Sequence, residues 1–394
     1  MTRKPKTLWV IIVAGVIIRL FLVFSIPLYP EQTFLPGYND EPMHLNYVRH
    51  LAEEKSWPIW DAEASKLTTL VDEFPQPPLY YLIATPAYQL GEWISAGGGL
   101  FGARLVSLFF GIVTSLIIYW ICKQMLGDRR GARAGLAFAT FSPNLVVFSS
   151  LVTNDSLLFC LSALAFGSIV FAYKGIGGAV RQVKTGLFLA IAVWAKMSAL
   201  AMLPLVWFAT GRVPREGEAW QARLRTGLTA VALILPLFVW NIAHYGQVVP
   251  TVSIYTPEES GNIGTGFEHP VKAVAYLART AAQPFDQVWG SIPEKGTTIL
   301  WLSMCAGVFL FGLWHLRDME VRWLVLSGFA LPVIALIYYN FRFFQIEARL
   351  LAPAVASVAI IIAAGMRRLS IPVGWQCVIW GSPLIVTISW RLWG

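Results

Sequence analysis

Charge and cysteine are both scarce in this chain. Of its 394 residues only 13% are charged and 56% are hydrophobic, and apolar runs recur from one end to the other. This composition excludes a single soluble domain and is typical of a helical membrane protein with many spans. The four cysteines form no CxxC pair, so neither a disulfide framework nor a thiolate metal site is expected. The net charge of +8 therefore indicates membrane topology, not nucleic-acid binding.

Apolar runs of membrane-spanning length define the architecture. Nine of them are single candidate spans: 8–28, 101–122, 134–151, 156–173, 226–243, 298–316, 323–340, 349–366 and 372–392. The N-terminal "MTRKPK" and the first run have the shape of a signal sequence. The run exceeds an ordinary signal core and no small-x-small cleavage site follows, so we expect a retained first helix.

Basic clusters set the predicted orientation, because Lys and Arg concentrate in cytoplasmic loops. A further run, 185–210, has Lys196 in its middle and basic clusters on both sides. A single crossing would place one cluster outside, so we predict two short helices that meet near Lys196. The prediction is an all-α polytopic membrane protein of about eleven transmembrane helices, with the N-terminus cytoplasmic. We expect residues 1–394 to form a single membrane domain, with no separate soluble domain.

Two long segments face the external side in this topology. The loop 29–100 carries ten acidic residues and three basic ones. Its "PPLYYLIATPAYQLGEWI" is rich in Tyr and Trp and is predicted to be a juxtamembrane helix on the membrane surface. The second segment, 244–297, is polar and Gly-rich, which favours a mobile loop.

The stretch "YNDEPMHLNYVRH", residues 38–50, holds the first candidate site. Asn39 can cap a helix whose first turn contains Asp40 and Glu41, while Tyr47 lies on its apolar face. Asp40 and His44, four residues apart, share another face. Two interpretations stay open: these acids complement the helix dipole, or they form part of a cavity.

A second acidic pair, Asp72 and Glu73, follows in "VDEFPQPPLYYL", where Gln76 precedes a double proline. An exposed acidic turn is the alternative. Asp155 lies in the external turn "SLVTNDSLLF", where capping the next helix is again an alternative.

Cationic residues are predicted on the same side of the membrane. Lys196 must face water, a carboxylate or an anionic ligand unless it snorkels to the headgroups. Arg349, Arg104 and Arg19 are each expected as interfacial anchors, yet together they suit an anionic headgroup such as a lipid phosphate. His244 and His269 have acidic neighbours, but their spacing matches no tight metal site. From these residues alone an enzyme and a transporter or flippase are close alternatives, and a noncatalytic scaffold is the third.

The ordered series of motifs resembles the membrane glycosyltransferases of the GT-C fold, specifically bacterial protein O-mannosyltransferases and aminoarabinose transferases. The series comprises the external "DE", then "QPPLYY", "GARLVSLFFGIVTSLIIYWICKQMLG", "SPNLVVFSSLVTNDSLLF", "LAIAVWAKMSAL" and "EARLLAPAVASVAIIIAAGM". The resemblance implies transfer of a sugar from a polyprenyl-phosphate donor to a lipid, glycan or protein acceptor. The active site would be extracytoplasmic, in a bacterial inner membrane.

The resemblance also implies roles for particular residues. Asp40 matches the catalytic base, with Glu41 beside it, and Lys196 and Arg349 match basic residues that stabilise the leaving phosphate. The residues expected to bind substrate are His44, Tyr47, Glu73, Gln76, Arg104, Asp155, Lys196 and Arg349.

Two departures from the family qualify this assignment. The usual Glu-Lys-Pro-Pro is replaced here by a longer motif from Glu73 to the double proline, so no cofactor is assigned and a divalent metal is left open. The chain is also shorter than those relatives and lacks their large C-terminal soluble domain, which favours a small or lipid-bound acceptor.

Overall fold

The computed structural model describes residues 6–28, 40–60, 73–174, 176–210, 216–250, 277, 295–340 and 347–393. Every regular element within these ranges is helical. The α-helices are α1 (Lys6–Ser25), α2 (Glu41–Glu53), α3 (Leu79–Ile94), α4 (Gly99–Leu126), α5 (Arg129–Phe141), α6 (Pro143–Phe148), α7 (Asp155–Tyr173), α8 (Gly178–Ala195), α9 (Glu216–Tyr245), α10 (Lys295–His315), α11 (Arg322–Asn340), α12 (Val355–Arg368) and α13 (Val373–Trp393). Three 3₁₀ helices join them, Met197–Thr210, Leu316–Asp318 and Ala348–Ala354.

Six helical segments in the described residues are long and apolar enough to cross a membrane: Thr7–Ser25, Gly99–Leu126, Asp155–Tyr173, Glu218–Tyr245, Arg322–Asn340 and Ala348–Arg368. Met197–Phe208 and Leu300–His315 are shorter apolar helices. The predicted all-helical, multi-pass class is confirmed. The count of eleven spans and the mobile loop 244–297 stay predictions, and 251–294, apart from 277, lies outside the described residues.

The spans differ in how deeply they are enclosed. In their most apolar windows, 78% of the residues of α7 and 83% of those in Ala348–Arg368 are buried, against 28% in α1 and α9. α1 accordingly presents large apolar side chains such as Trp9 and Ile17 outward, as a lipid-facing helix does. These two enclosed segments form the centre of the bundle. Asp155 begins the first, and Arg349 lies at the start of the second.

The run predicted as one span over 134–151 is divided into α5 and α6 at Pro143. Proline has no N–H, so carbonyls in the last turn of α5 need other donors. Arg19 of α1 supplies them, because its guanidinium donates to the carbonyl oxygens of Ala139 and Thr140 and to Ser149 Oγ. With 1% of its surface exposed, Arg19 is a packing residue, and the interfacial position expected for it is wrong.

The predicted interruption of 185–210 at Lys196 is present. α8 ends at Ala195, Lys196 is extended (φ −159°, ψ 136°), and a 3₁₀ helix begins at Met197. The Lys196 side chain is buried among protein groups. It therefore does not snorkel to the membrane surface, which was the alternative for this residue.

A second, smaller core lies among α2, α3 and the first half of α4. It is built mainly from aromatic and aliphatic residues: Leu45, Tyr47, Val48, Tyr80, Tyr81, Ala84, Tyr88, Ala103, Val152, Leu157 and Ala195. α3 approaches α4 so closely that a Cβ on Gly102 would lie 2.1 Å from the carbonyl oxygen of Ala87. This core fixes α2, and with it the acidic stretch, against the spans.

Candidate active site

Asp40 stands at the N-terminal boundary of α2, but its carboxylate does not cap the helix. Instead, Nη1 of Arg349 donates to both Asp40 oxygens, at 2.9 Å and 2.7 Å. Arg349 lies 309 residues further along the chain, in the 3₁₀ helix that precedes α12. The Asp40 side chain is thus bound by Arg349 and not by the helix N-terminus, and Asn39, the predicted cap, lies outside the described residues.

Asp155 and Lys196 extend this ion pair into a network. Lys196 Nζ donates to Asp155 Oδ1 at 2.7 Å, and Arg349 Nη1 lies 3.5 Å from Asp155 Oδ2. Nε of Arg349 also donates to Glu347, and its guanidinium lies 5.3 Å from the centre of the Phe148 ring. The network thus joins the start of α2, the start of α7, the break after α8 and the segment before α12.

The Asp40 carboxylate is ionised in this setting. Burial acts to raise its pKa, but the nearby charge of Arg349, with a smaller contribution from Lys196, outweighs burial and holds the pKa well below the usual range. Its side chain keeps 19% of its surface exposed, against 7% for Arg349 and none for Asp155. Asp40 is therefore a charged carboxylate that a substrate can reach.

His44 and Glu73 lie beside Asp40. One ligand atom from each of these three residues falls within 4.8 Å of the others. Nδ1 of His44 bonds the Tyr81 hydroxyl at 2.7 Å, and burial raises the pKa of Tyr81 well above its usual value. Nε2 of His44 is buried without a hydrogen-bond partner among the described residues and lies 3.6 Å from Asp40. An imidazole held at one nitrogen, with a carboxylate near the other and a second carboxylate in the same group, suits a cation.

Glu41, adjacent to Asp40, has a different environment. Its two oxygens accept from Nε and Nη2 of Arg104, at 2.8 Å and 2.6 Å, and one of them also accepts from the backbone N–H of Val152 at 2.7 Å. The side chains of Glu41 and Arg104 are 1% and 0% exposed. Arg104 is therefore not the interfacial anchor that its sequence position suggested.

Tyr47 and Gln76 lie at the margin of the cluster. Tyr47 is fully buried, stacks on Tyr81 with ring centres 3.8 Å apart, and accepts from Trp57 Nε1 at 3.1 Å. Gln76 is partly exposed and accepts from the amide of Asn154 at 3.4 Å. Tyr47 thus packs against Tyr81 of the cluster, while Gln76 links the segment before α3 to the turn before Asp155.

The structure therefore brings Asp40, Asp155, Lys196 and Arg349 into direct contact, with His44 and Glu73 at one side. Sequence reasoning missed Glu347 and Tyr81 as members of this cluster. Glu347 was detectable, since it precedes Arg349 by two residues in "EARL". Tyr81 gave no such signal, because a tyrosine in a predicted interfacial helix is expected there anyway.

Comparison with known proteins identifies the fold. Residues 75–240 match the family model described as dolichyl-phosphate-mannose-protein mannosyltransferase. No curated protein sequence matches the chain. That matched region runs from the turn beside Glu73 to Trp240 within α9, and it includes Arg104, Asp155 and Lys196.

Solved structures resemble the chain over nearly its whole length. ArnT from Cupriavidus metallidurans bound to undecaprenyl phosphate has a TM-score of 0.62 at 12% identity, covering 98% of this chain and 63% of that one. The Archaeoglobus fulgidus oligosaccharyltransferase in complex with Zn and sulfate has a TM-score of 0.58 at 14% identity, covering 96% and 51%. AglB from the same organism, with an inhibitory peptide and a dolichol-phosphate, has a TM-score of 0.51 at 13% identity, covering 92% and 50%.

The chain spans less than two thirds of the length of these proteins. Identities of 12–14% establish a shared fold and nothing finer. The fold predicted from the ordered motifs is confirmed: the chain is a multi-pass membrane protein with the GT-C fold of the membrane glycosyltransferases.

Proposed function

We propose that the protein transfers a sugar from a polyprenyl-phosphate donor to an acceptor at the extracytoplasmic face of a bacterial plasma membrane. The observation that carries this proposal is Asp40, an ionised and partly exposed carboxylate that contacts Arg349 in a network with Lys196. ArnT and AglB, which share the fold, were solved with polyprenyl phosphates bound. The donor, acceptor and activity of this chain are hypotheses based on those proteins.

The chemistry divides between the carboxylate and the cations. Asp40 accepts the proton of an acceptor hydroxyl as its oxygen bonds to the anomeric carbon. The bond from that carbon to the phosphate oxygen breaks, and polyprenyl phosphate leaves with the electron pair as an anion. Arg349 uses Nε and Nη1 for its carboxylates among the described residues, so we assign Nη2, together with Lys196 Nζ, to the departing phosphate.

A divalent cation fits beside these groups. Asp40, His44 and Glu73 would hold it, since an imidazole nitrogen and two carboxylates are ligands that Zn²⁺ accepts. Its chemistry there would be to offset the charge of an incoming phosphate. Among the described residues, carboxylates outnumber cations in this cluster: Asp40, Glu73, Asp155 and Glu347 face Lys196 and Arg349.

Contacts between loops support the proposed orientation. Arg367 pairs with Asp128 at 2.5 Å, Lys174 donates to the carbonyl oxygen of Gln124, and Arg225 donates to Gln182. These contacts bring the basic residues of 123–133, 174–184, 223–225 and 367–368 together at one end of the bundle. If that end is cytoplasmic, the N-terminal end of α7, where Asp155 lies, faces the other side, because α7 ends beside Lys174.

The decisive experiment supplies purified protein with a panel of polyprenyl-phosphate sugars and measures release of polyprenyl phosphate. Wild type should turn over at least one donor, and Asp40→Asn should not. Glu53→Gln is the matched control, an exposed acid on the same helix. No turnover of any donor, combined with flux of a lipid-linked sugar in vesicles, would favour the transporter alternative. The similar proteins reported above are glycosyltransferases and give that alternative no support.

A further inference from the structure

The buried pair of Glu41 and Arg104 takes no direct part in the proposed reaction. The sequence predicted a catalytic role for Glu41 and a substrate-binding role for Arg104. We propose instead that both are positioning residues, which fix the position of Asp40 relative to Asp155. The inference rests on the proposed function, since it concerns the same site. In this role neither Glu41 nor Arg104 contacts the substrate.

Glu41 links the start of α2 to the turn before α7. One of its oxygens accepts from Arg104 Nε and from the N–H of Val152, and the other accepts from Arg104 Nη2. All three distances lie between 2.6 Å and 2.8 Å, the range of charge-assisted hydrogen bonds. Because Glu41 reaches both α4 and this turn, one carboxylate fixes two chain segments at once.

Arg104 extends the link to α1. Its Nη1 donates to the carbonyl oxygens of Val23 and Ile26, each at 2.8 Å. These carbonyls belong to the C-terminal end of α1, where backbone acceptors have no helical partner of their own. Glu41 and Arg104 thus connect α1, α2, α4 and the turn before α7, with both side chains sealed from solvent.

The two segments fixed in this way carry the two carboxylates of the site. Asp40 is the residue directly before Glu41. Val152 lies three residues before Asp155, and Thr153 between them bonds both the Asp155 carboxylate and its backbone N–H, at 3.4 Å and 3.3 Å. A shift at Glu41 therefore changes the position of Asp40 relative to Asp155, and with it the alignment of Arg349 between them.

An ionic pair suits this task better than an apolar contact. A bidentate Arg–carboxylate pair fixes direction as well as distance, and removing one partner leaves an uncompensated buried charge. Misplacing reacting groups by about 1 Å costs roughly 10²-fold in rate. Loss of the pair should thus appear mainly in kcat, because Lys196 and Arg349 are still present to bind the phosphate while the base is misaligned with the reacting atoms.

The test combines kinetics with amide hydrogen exchange on the full-length protein in nanodiscs. Glu41→Gln should lower kcat about 10²-fold with little change in the KM for a polyprenyl-phosphate sugar, and should speed exchange in the peptide containing Val152. Glu41→Asp keeps the charge and should recover part of both effects. Glu92→Gln is the matched control: Glu92 also accepts from backbone N–H groups, those of Gly97 and Gly99, but at the surface away from the cluster.

The possible outcomes distinguish failure of the positioning role from failure of the proposed function. Wild-type kcat and wild-type exchange in Glu41→Gln would overturn the positioning role. Reduced kcat with unchanged exchange would also overturn it, in favour of direct contact with the substrate. If wild type turns over no donor, the proposed function fails, yet the exchange measurement still tests whether Glu41 holds the turn. Should Glu41→Gln not fold, the same comparison is made with Glu41→Asp and Arg104→Lys.

Discussion

Asp40 and Glu41 are neighbours in sequence, are both acids, and each pairs with an arginine from a distant segment. The Asp40 and Arg349 side chains keep 19% and 7% of their surface exposed, whereas those of Glu41 and Arg104 keep 1% and 0%. One pair is open to a ligand and the other is closed. Access, not residue chemistry, therefore separates the proposed base from the residue proposed to position it.

The difference arises from helix geometry. Successive residues of an α-helix point about 100° apart, so adjacent acids at the start of α2 face different neighbours. Asp40 faces the cluster around Arg349, and Glu41 faces the interior between α1 and α4. The predictions below test this contrast between the open pair and the closed pair.

Asp40→Asn gives the largest expected loss of activity. The amide cannot accept the hydroxyl proton, so turnover of the polyprenyl-phosphate donor should fall by about 10²–10⁴-fold. The fold should persist, because Asn keeps the shape of the side chain at a partly exposed position. Release of polyprenyl phosphate measures the first effect and the thermal midpoint in detergent the second. Activity close to wild type would remove Asp40 as the base.

Arg104→Leu should give the largest loss of stability. It leaves the Glu41 carboxylate buried without its cation, at a cost of about 3–5 kcal/mol in the free energy of unfolding. Arg349→Leu should cost less, because Asp40 retains access to water. Denaturation of both variants in the same detergent checks the order. A larger loss for Arg349→Leu would reverse the assignment of closed and open pairs.

Lys196→Gln should weaken the site for phosphate without opening the core. It removes a cation assigned to the leaving group, so turnover should fall by about 10²-fold. Affinity for the product polyprenyl phosphate should fall as well, as measured by tryptophan fluorescence. Arg104→Lys serves as the comparison, because a closed pair should not alter product affinity. Equal losses of affinity in the two variants would contradict the contrast.

Arg367→Gln should have the smallest effect. Arg367 pairs with Asp128 at the opposite end of the bundle, where the side chains are 46% and 36% exposed. An exposed pair contributes about 0–1 kcal/mol and is screened by salt. The variant should keep wild-type donor turnover and a thermal midpoint within a few degrees. A loss comparable to that of Arg104→Leu would show that exposure does not rank these pairs.

Much of the fold could be predicted from the sequence, because apolar runs indicate the membrane spans and basic clusters indicate their orientation. The interruption at Lys196 followed from such patterns, an α2 that begins near Asp40 followed from the helix-start residues around it, and the GT-C fold followed from the resemblance of the ordered motifs to that family. Topology also placed Asp40, Lys196 and Arg349 in one layer. The pairing of Asp40 with a residue 309 positions away required the folded chain.

The sequence could not separate reachable charges from sealed ones. Arg19, Arg104 and Arg349 all lie in apolar runs, and hydropathy treats them alike. Their partners differ: Arg19 binds carbonyl oxygens at the break before Pro143, Arg104 binds Glu41, and Arg349 binds Asp40. Since those partners lie on other helices, burial and role depend on tertiary contacts that local patterns do not contain.

Arg19 also bears on the order in which the protein assembles. A guanidinium within an apolar helix costs about 2.5–3.5 kcal/mol on insertion, and the acceptor that relieves this cost, the Thr140 carbonyl, lies 121 residues later in the chain. α1 therefore completes its contacts only after α5 and α6 have entered the membrane.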